Sequence, residues 1–203
     1  MTFGDIKARI ADELVRPDLA SQISLAVGDA IKEAAGNRFW FNQVRSLTFT
    51  MVPGQAFYSD TNYIEQIDSL WIIANGQRRN LERRNLHDIE GWNEGQDSLT
   101  GEPFAYARQG DGFNFWMPPR LAYPVYIDGT TRFAPLVNDT DENPYLTEGE
   151  RYVRAIAKAI VLEDVVRDFD EADRQWTRVE REKTMLLRDT SSRMASNTLR
   201  ASL

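Results

Sequence analysis

Cysteine is absent from all 203 residues, and histidine occurs once. The first absence excludes disulfide staples and thiolate metal sites. The second leaves His87 as the sole imidazole for a catalytic base. His87 stands between Leu86 and Asp88 in a short charged segment with no nucleophile elbow nearby, and so reads as a surface residue. Long hydrophobic runs are missing too; a membrane-spanning helix needs about 20 apolar residues in succession. The opening residues, Met1 to Ile10, have no basic start followed by an apolar block, as a secretory signal would. Synthesis inside a cell and no membrane partner are the expectations.

An excess of positive charge is also lacking. Lys and Arg number 24 against 31 Asp and Glu, a formal net charge of −7. A surface of that sign does not capture nucleic acid through its overall field, although it suits a protein past which DNA must slide without being gripped. Hydrophobic residues at 42% and charged residues at 27% are ordinary for a globular chain. The length suffices for one sizeable domain, or for a body with a smaller appendage.

Helical signals open the chain. Thr2 can cap a first helix, with Asp5 three residues later, and Phe3, Ile6, Ile10 and Leu14 recur at helical spacing. Arg16-Pro17-Asp18 ends that helix. A second carries Leu19, Ile23, Val27, Ala30, Ile31 and Ala34 on one face and stops at Gly36-Asn37, a candidate C-terminal cap. Residues 1–38 therefore read as a helical hairpin.

From Phe39 the period changes to two. Ser46–Val52 and Gln55–Tyr58 read as a hairpin across Pro53-Gly54, and Ile64–Ala74 with Gln77–Leu81 as a second across Asn75-Gly76. A short helix is expected over 85–92, and strands over 104–108, 112–117 and 123–133. Thr147-Glu-Gly-Glu150 has the form of a capping box before a wide apolar stripe that runs from Tyr152 to Phe169. A break at Asp168-Phe169-Asp170 leads to a last amphipathic helix through Trp176, Val179 and Leu186. Residues 189–203 are rich in Ser and Thr, lack a sustained period, and read as a flexible tail. The expected fold is α+β: a helical body from residues 1–38 and 136–188, an inserted antiparallel β-sheet or sandwich domain over 39–135, and the tail.

Little in the chain points to chemistry. Asp139, Asp141 and Asn143 with Glu150 imitate a calcium loop, but the position that needs glycine holds Pro144. Four arginines, Arg78, Arg79, Arg83 and Arg84, form the one dense basic cluster, which reads either as a solvated sheet edge or as a contact for an acidic partner. Between Gly112 and Asp128, aromatic residues fall on both faces of two strands. They imply coverage by a second sheet, by helices or by a neighbouring subunit, with a carbohydrate platform built on Trp116 and Tyr126 as the alternative. No cofactor, metal or enzymatic activity is expected.

Several motifs in order carry a resemblance. They are Phe3 to Leu14 followed by Asp18-Leu19, Arg38-Phe-Trp-Phe-Asn42, Thr48-Phe-Thr50 with Pro53-Gly-Gln-Ala-Phe-Tyr58, Gly101-Glu-Pro-Phe-Ala-Tyr106, a strand ending in Pro118-Pro119, and a closing helical pair. Together they resemble the head-to-tail adaptor (connector) family of tailed bacteriophages, in particular podovirus-type adaptors. The resemblance implies a structural virion protein, made in the host cytoplasm, that forms a ring of usually twelve copies beneath the portal. It implies that such a ring extends the DNA channel without sequence-specific DNA contact, and serves as a platform for tail tube, nozzle or fibre proteins. Contact with the portal would fall to the C-terminal segment, with Thr190, Arg193, Met194, Leu199, Arg200 and Leu203 as candidates. Trp116, Tyr126, Arg78 and Arg79 are the candidates for subunit or tail-protein contacts.

Overall fold

Thr2 opens the first helix of the computed structural model as its sequence requires. Its hydroxyl accepts from the Asp5 N–H at 3.1 Å while the Asp5 carboxylate accepts from the Thr2 N–H at 3.0 Å. The structure describes residues 1–93 and 99–198, with side chains described over 1–92 and 99–194. Helix α1 spans Phe3–Leu14 and buries Phe3, Ile6 and Ile10. A single 3₁₀ turn, Pro17–Leu19, leads into α2, Ala20–Ala35, which buries Ile23, Val27 and a series of alanines. Those small residues let the α2 backbone lie close to its neighbours. The helix ends at Gly36 as expected, but Gly36 has φ −65°, so the cap is not the left-handed glycine kind.

The chain divides into two compact units, Met1–Gln43 with Arg132–Leu203, and Val44–Thr131. The inserted unit is thus shorter than the span read from period alone. Phe39 and Phe41 belong to the helical unit, where Phe39 is fully buried and stacks on Phe41 at 5.4 Å. Asn42 organises this turn from a fully buried position. It accepts from the Phe39 N–H at 2.9 Å and donates to the Asn37 carbonyl at 2.8 Å and the Tyr145 hydroxyl at 2.9 Å.

The inserted unit is a sandwich of two four-stranded sheets. Its elements in order are β1 Gln43–Thr50, β2 Phe57–Ser59, β3 Ile64–Ala74, β4 Gln77–Asn80, β5 Glu82–Arg83, α3 Leu86–Asn93, β6 Ala105–Gln109, β7 Gly112–Trp116 and β8 Pro124–Thr131. One sheet has the order β1-β8-β3-β4, the other β2-β7-β6-β5. Asn75 and Gly76, at φ 51° and 74°, form the β3–β4 hairpin turn, with both central residues left-handed. The β2–β7, β3–β4, β3–β8 and β6–β7 pairings are antiparallel, and the two-residue β5–β6 ladder is parallel.

The other expected hairpin does not form. Pro53-Gly54 does turn the chain, with Gly54 at φ 80° and the Gln55 N–H bonded to the Val52 carbonyl at 3.1 Å. It passes the chain from β1 in one sheet to β2 in the other. Pro118-Pro119 likewise joins β7 to β8 across the two sheets. A turn residue fixes local dihedral angles and not the partner of the strand that follows. Leu70, Ile72, Val125 and Ile127 from one sheet meet Tyr58, Tyr106, Phe113 and Phe115 from the other in the core between them.

After β8 the chain forms α4, Pro144–Thr147, then α5, Glu150–Ile160, a π-helical stretch, Val161–Val166, and α6, Phe169–Thr198. The capping box expected at Thr147 is replaced. Asn143 caps the short α4, accepting from the Leu146 N–H at 3.1 Å with Pro144 in its first turn, and Glu150 turns to Arg154 at 3.1 Å. Helix α5 buries Tyr152, Val153, Ile156 and Ala157 between α2 and α6. The segment from Asp189 differs from the expected tail over its first ten residues, because α6 continues to Thr198. Extending a formed helix costs little per residue, and side-chain anchors hold this stretch. Leu199, Arg200 and Leu203 lie outside the described residues.

Candidate functional site

The candidate contact residues fall into two groups, one in each unit. In the helical unit, the late turns of α6 lie along the segment that joins α2 to β1. The Trp40 N–H donates to the Thr190 hydroxyl at 3.1 Å, and the Arg193 guanidinium sits 3.7 Å from the centre of a Trp40 ring. The Gln43 side-chain amide reaches the Met194 sulfur at 3.6 Å. Thr190 is buried, and its hydroxyl also donates to the Leu186 carbonyl at 2.8 Å. Three of the six tail candidates are thus brought together on one surface, beside an aromatic residue, Trp40, that period alone did not single out.

In the sandwich, Trp71 and Tyr126 are register partners on the outer face of the first sheet. Their rings stack at 5.5 Å with 8° between planes, and the Arg78 guanidinium lies 3.8 Å from the centre of a Trp71 ring. Arg78, Trp71 and Tyr126 therefore form a ladder across β4, β3 and β8. Arg79 pairs with Glu102 at 2.6 Å and Arg84 with Glu82 at 2.8 Å. Arg83 has no carboxylate partner among the described residues. Trp71 escaped the sequence reading because a β-strand tryptophan reads as core on either face.

Trp116 is placed elsewhere. It is 6% exposed and packs with Ile89, Ala105 and Ala107 beneath α3, near Trp92. Phe113 and Phe115 face the opposite sheet. The second face of β7 is therefore covered by the chain's own short helix, which leaves Trp116 little surface to offer a subunit or a carbohydrate.

Electrostatics centre on a buried network in the helical unit. Arg154 and Lys158 of α5 are 5% and 9% exposed, and both reach Glu13 of α1, at 2.6 Å and 3.2 Å. Burial pushes the Glu13 carboxyl upward, but the Lys158 hydrogen bond and the charges of Arg154 and Lys158 outweigh it and hold the group below its usual range. Burial, reinforced by the Glu33 and Glu180 carboxylates, pushes the Tyr152 phenol up to about 12. These groups tie helices together. His87 is exposed on α3. In the stretch that imitates a calcium loop, Asp141 accepts the Val137 and Asn138 N–H groups, each at 2.8 Å, and Asp139 pairs with Lys7 at 2.5 Å. Among the described residues no group of three or more His, Cys, Asp or Glu is placed to hold a metal ion. None of their helices is long and apolar enough to cross a membrane.

A family model described as SU10 adaptor protein matches residues 1–201. The chain belongs to the SU10 adaptor protein family. That is a phage head-to-tail adaptor family, so the chain is a structural phage adaptor and a component of the virion. A search of the curated proteins found no match. Membership in an adaptor family implies portal and tail components as the class of partner.

Proposed function

We propose that this adaptor assembles as a ring, of twelve copies, between the portal and the tail components, and that the ring extends the channel through which DNA passes. The family match over residues 1–201 carries this conclusion. Three physical features support it. The net charge of −7 disfavours gripping a polyanion, which suits a passage for DNA. The inserted sandwich ends in open edge strands that carry arginines and exposed aromatic surface, the composition of a protein contact. The C-terminal segment lies on Trp40 through the Thr190 hydroxyl and the Arg193 guanidinium, and a partner that binds it more favourably can displace it. The portal-contacting segment is assigned to Asp189 onward, with Thr190, Arg193 and Met194 at its start and Leu199, Arg200 and Leu203 near its end. Tail tube, nozzle or fibre proteins dock on the sandwich.

Mass photometry and electron microscopy of the protein mixed with its candidate portal test the proposal. The expected outcome is a portal-bound ring that is lost when the chain is truncated after Arg188. Persistent absence of any portal complex with the full chain overturns it.

A further inference from the structure

Phe169 is the most exposed aromatic residue among those described, at 62%. It stands at the start of α6, directly after the π-helical stretch, and between Asp168 and Asp170. The Asp168 carboxylate caps the helix by accepting from the Glu171 N–H at 3.1 Å. Asp164, Asp170 and Asp173 have no ion-pair partner among the described residues. Between Glu163 and Asp173 the chain carries six carboxylates and one arginine. The corner is therefore an apolar ring held out in water and surrounded by uncompensated negative charge.

The opposite chemistry occurs at one edge of the sandwich. Strands β4 and β5 end the two sheets, so both sheets stop at the same stretch of chain. From Arg78 to Arg84 that stretch carries four arginines against one glutamate. Beside it lies an open cleft of about 560 Å³ lined by Arg79, Asn80, Glu102, Pro103 and Phe104. Phe104 is 48% exposed there, with Trp92 behind it at 5.9 Å. The cleft is of ligand-binding size, roughly 300–1,000 Å³; within it Arg79 is paired with Glu102, so the uncompensated positive charge beside it comes from Arg78 and Arg83, which have no carboxylate partner among the described residues. An exposed edge strand is normally guarded by charge, but Arg78 and Arg83 near an exposed aromatic also make a socket for an acidic, aromatic knob.

We propose that copies of this chain join head to tail, with Phe169 and its flanking aspartates from one copy seated in the cleft beside Phe104 of the next. The proposal rests on the ring reading above and names its contact. Knob and socket are different patches of one subunit, so the contact is heterologous and closes into a ring when its rotation closes. Burial of Phe169 against Phe104 removes apolar surface of both copies from water. Asp170 and Asp173 meet Arg78 and Arg83, which steers the encounter and fixes its direction.

Because the chain has no cysteine, the contact can be probed by cross-linking. A chain carrying both Phe169→Cys and Asn80→Cys, the latter at an exposed residue of the cleft, is expected to give, on oxidation, a ladder of covalent oligomers, whereas each single variant gives no ladder. In cysteine-free chains, the pair Asp170→Arg with Asp173→Arg, and separately the pair Arg78→Asp with Arg83→Asp, each weaken self-association by about tenfold or more. An equimolar mixture of the two charge-reversed proteins restores association, because each knob now fits the other's socket. Circular dichroism of every variant shows that these surface changes leave the fold intact. Oligomers that form without the ladder, or that ignore both reversals, overturn the contact and leave portal binding standing. A ladder without portal binding overturns the portal reading and leaves the contact standing. A wild-type chain that stays monomeric with and without portal overturns both.

Discussion

The Trp40 backbone N–H donates to the Thr190 side chain across 150 residues of sequence, at 3.1 Å. That bond, with the Arg193 guanidinium on the Trp40 indole, turns a polar stretch without helical period into the last turns of α6. A buried hydroxyl that both accepts and donates is hard to replace, since removal leaves the Trp40 N–H without its partner.

Thr190→Val is therefore expected to destabilise the docked helix end by about 1–3 kcal/mol. Hydrogen exchange is the measurement of choice. Faster exchange confined to the last turns of α6 is the expected pattern, and unchanged protection there would count against an anchoring role for Thr190. Arg193→Ala should act in the same direction but more weakly, by about 0.5–1 kcal/mol, the usual size of an exposed cation–π contact.

Arg154 is buried between Glu13 and Glu150, and its removal takes from each carboxylate its nearest cation and leaves them to Lys158 and Arg9. Arg154→Met should cost about 3–5 kcal/mol in urea unfolding at neutral pH. The Glu13 carboxyl is held below its usual range in the folded state, so its contribution is full above the unfolded value and lost as pH falls through the lower folded value. Wild-type stability should thus decline below the ordinary glutamate range, near pH 4.3, and Glu13→Gln should flatten that decline. Parallel acid profiles for the two proteins would contradict the network.

Tyr152 tests the alkaline side. Its phenol is pushed up to about 12, above the unfolded value, so its contribution is intact below about pH 10 and is lost as pH rises toward 12. Ultraviolet titration of the phenolates should show a phase there, with Tyr58 and Tyr106 also shifted upward by burial. Tyr152→Phe should remove that phase and leave the other tyrosine transitions unchanged.

Trp116→Ala should cost about 3–5 kcal/mol, as expected for emptying a large buried aromatic site. The loss should appear as cooperative unfolding of the inserted sandwich. Tyr126→Ala, which removes only the half-buried partner of Trp71, should be milder. Equal effects of the two substitutions would contradict their different burial.

The α+β class, the capped first helix, the β3–β4 hairpin and the short helix over 86–93 were all readable in order along the chain. Each rests on local rules: a capping hydroxyl with a carboxylate three residues on, a period of two or near four, or a pair of residues that accepts positive φ. The family resemblance was readable for the same reason, because it consisted of short motifs in sequence. Strand partners were not. Pro53-Gly54 and Pro118-Pro119 each turn the chain as their residues demand, but whether the next strand stays in its sheet depends on which apolar faces meet, and that is a property of the assembled sandwich. The place of Trp116 under α3, the ladder of Arg78 on Trp71 and Tyr126, and the docking of Thr190 on Trp40 share that origin. All are contacts between residues distant in sequence, which no local period encodes. Sequence by itself determined the elements and the family; tertiary structure alone decided which aromatics are core, which stand on the surface, and where the C-terminal helix is held, because burial is settled only when the faces pair.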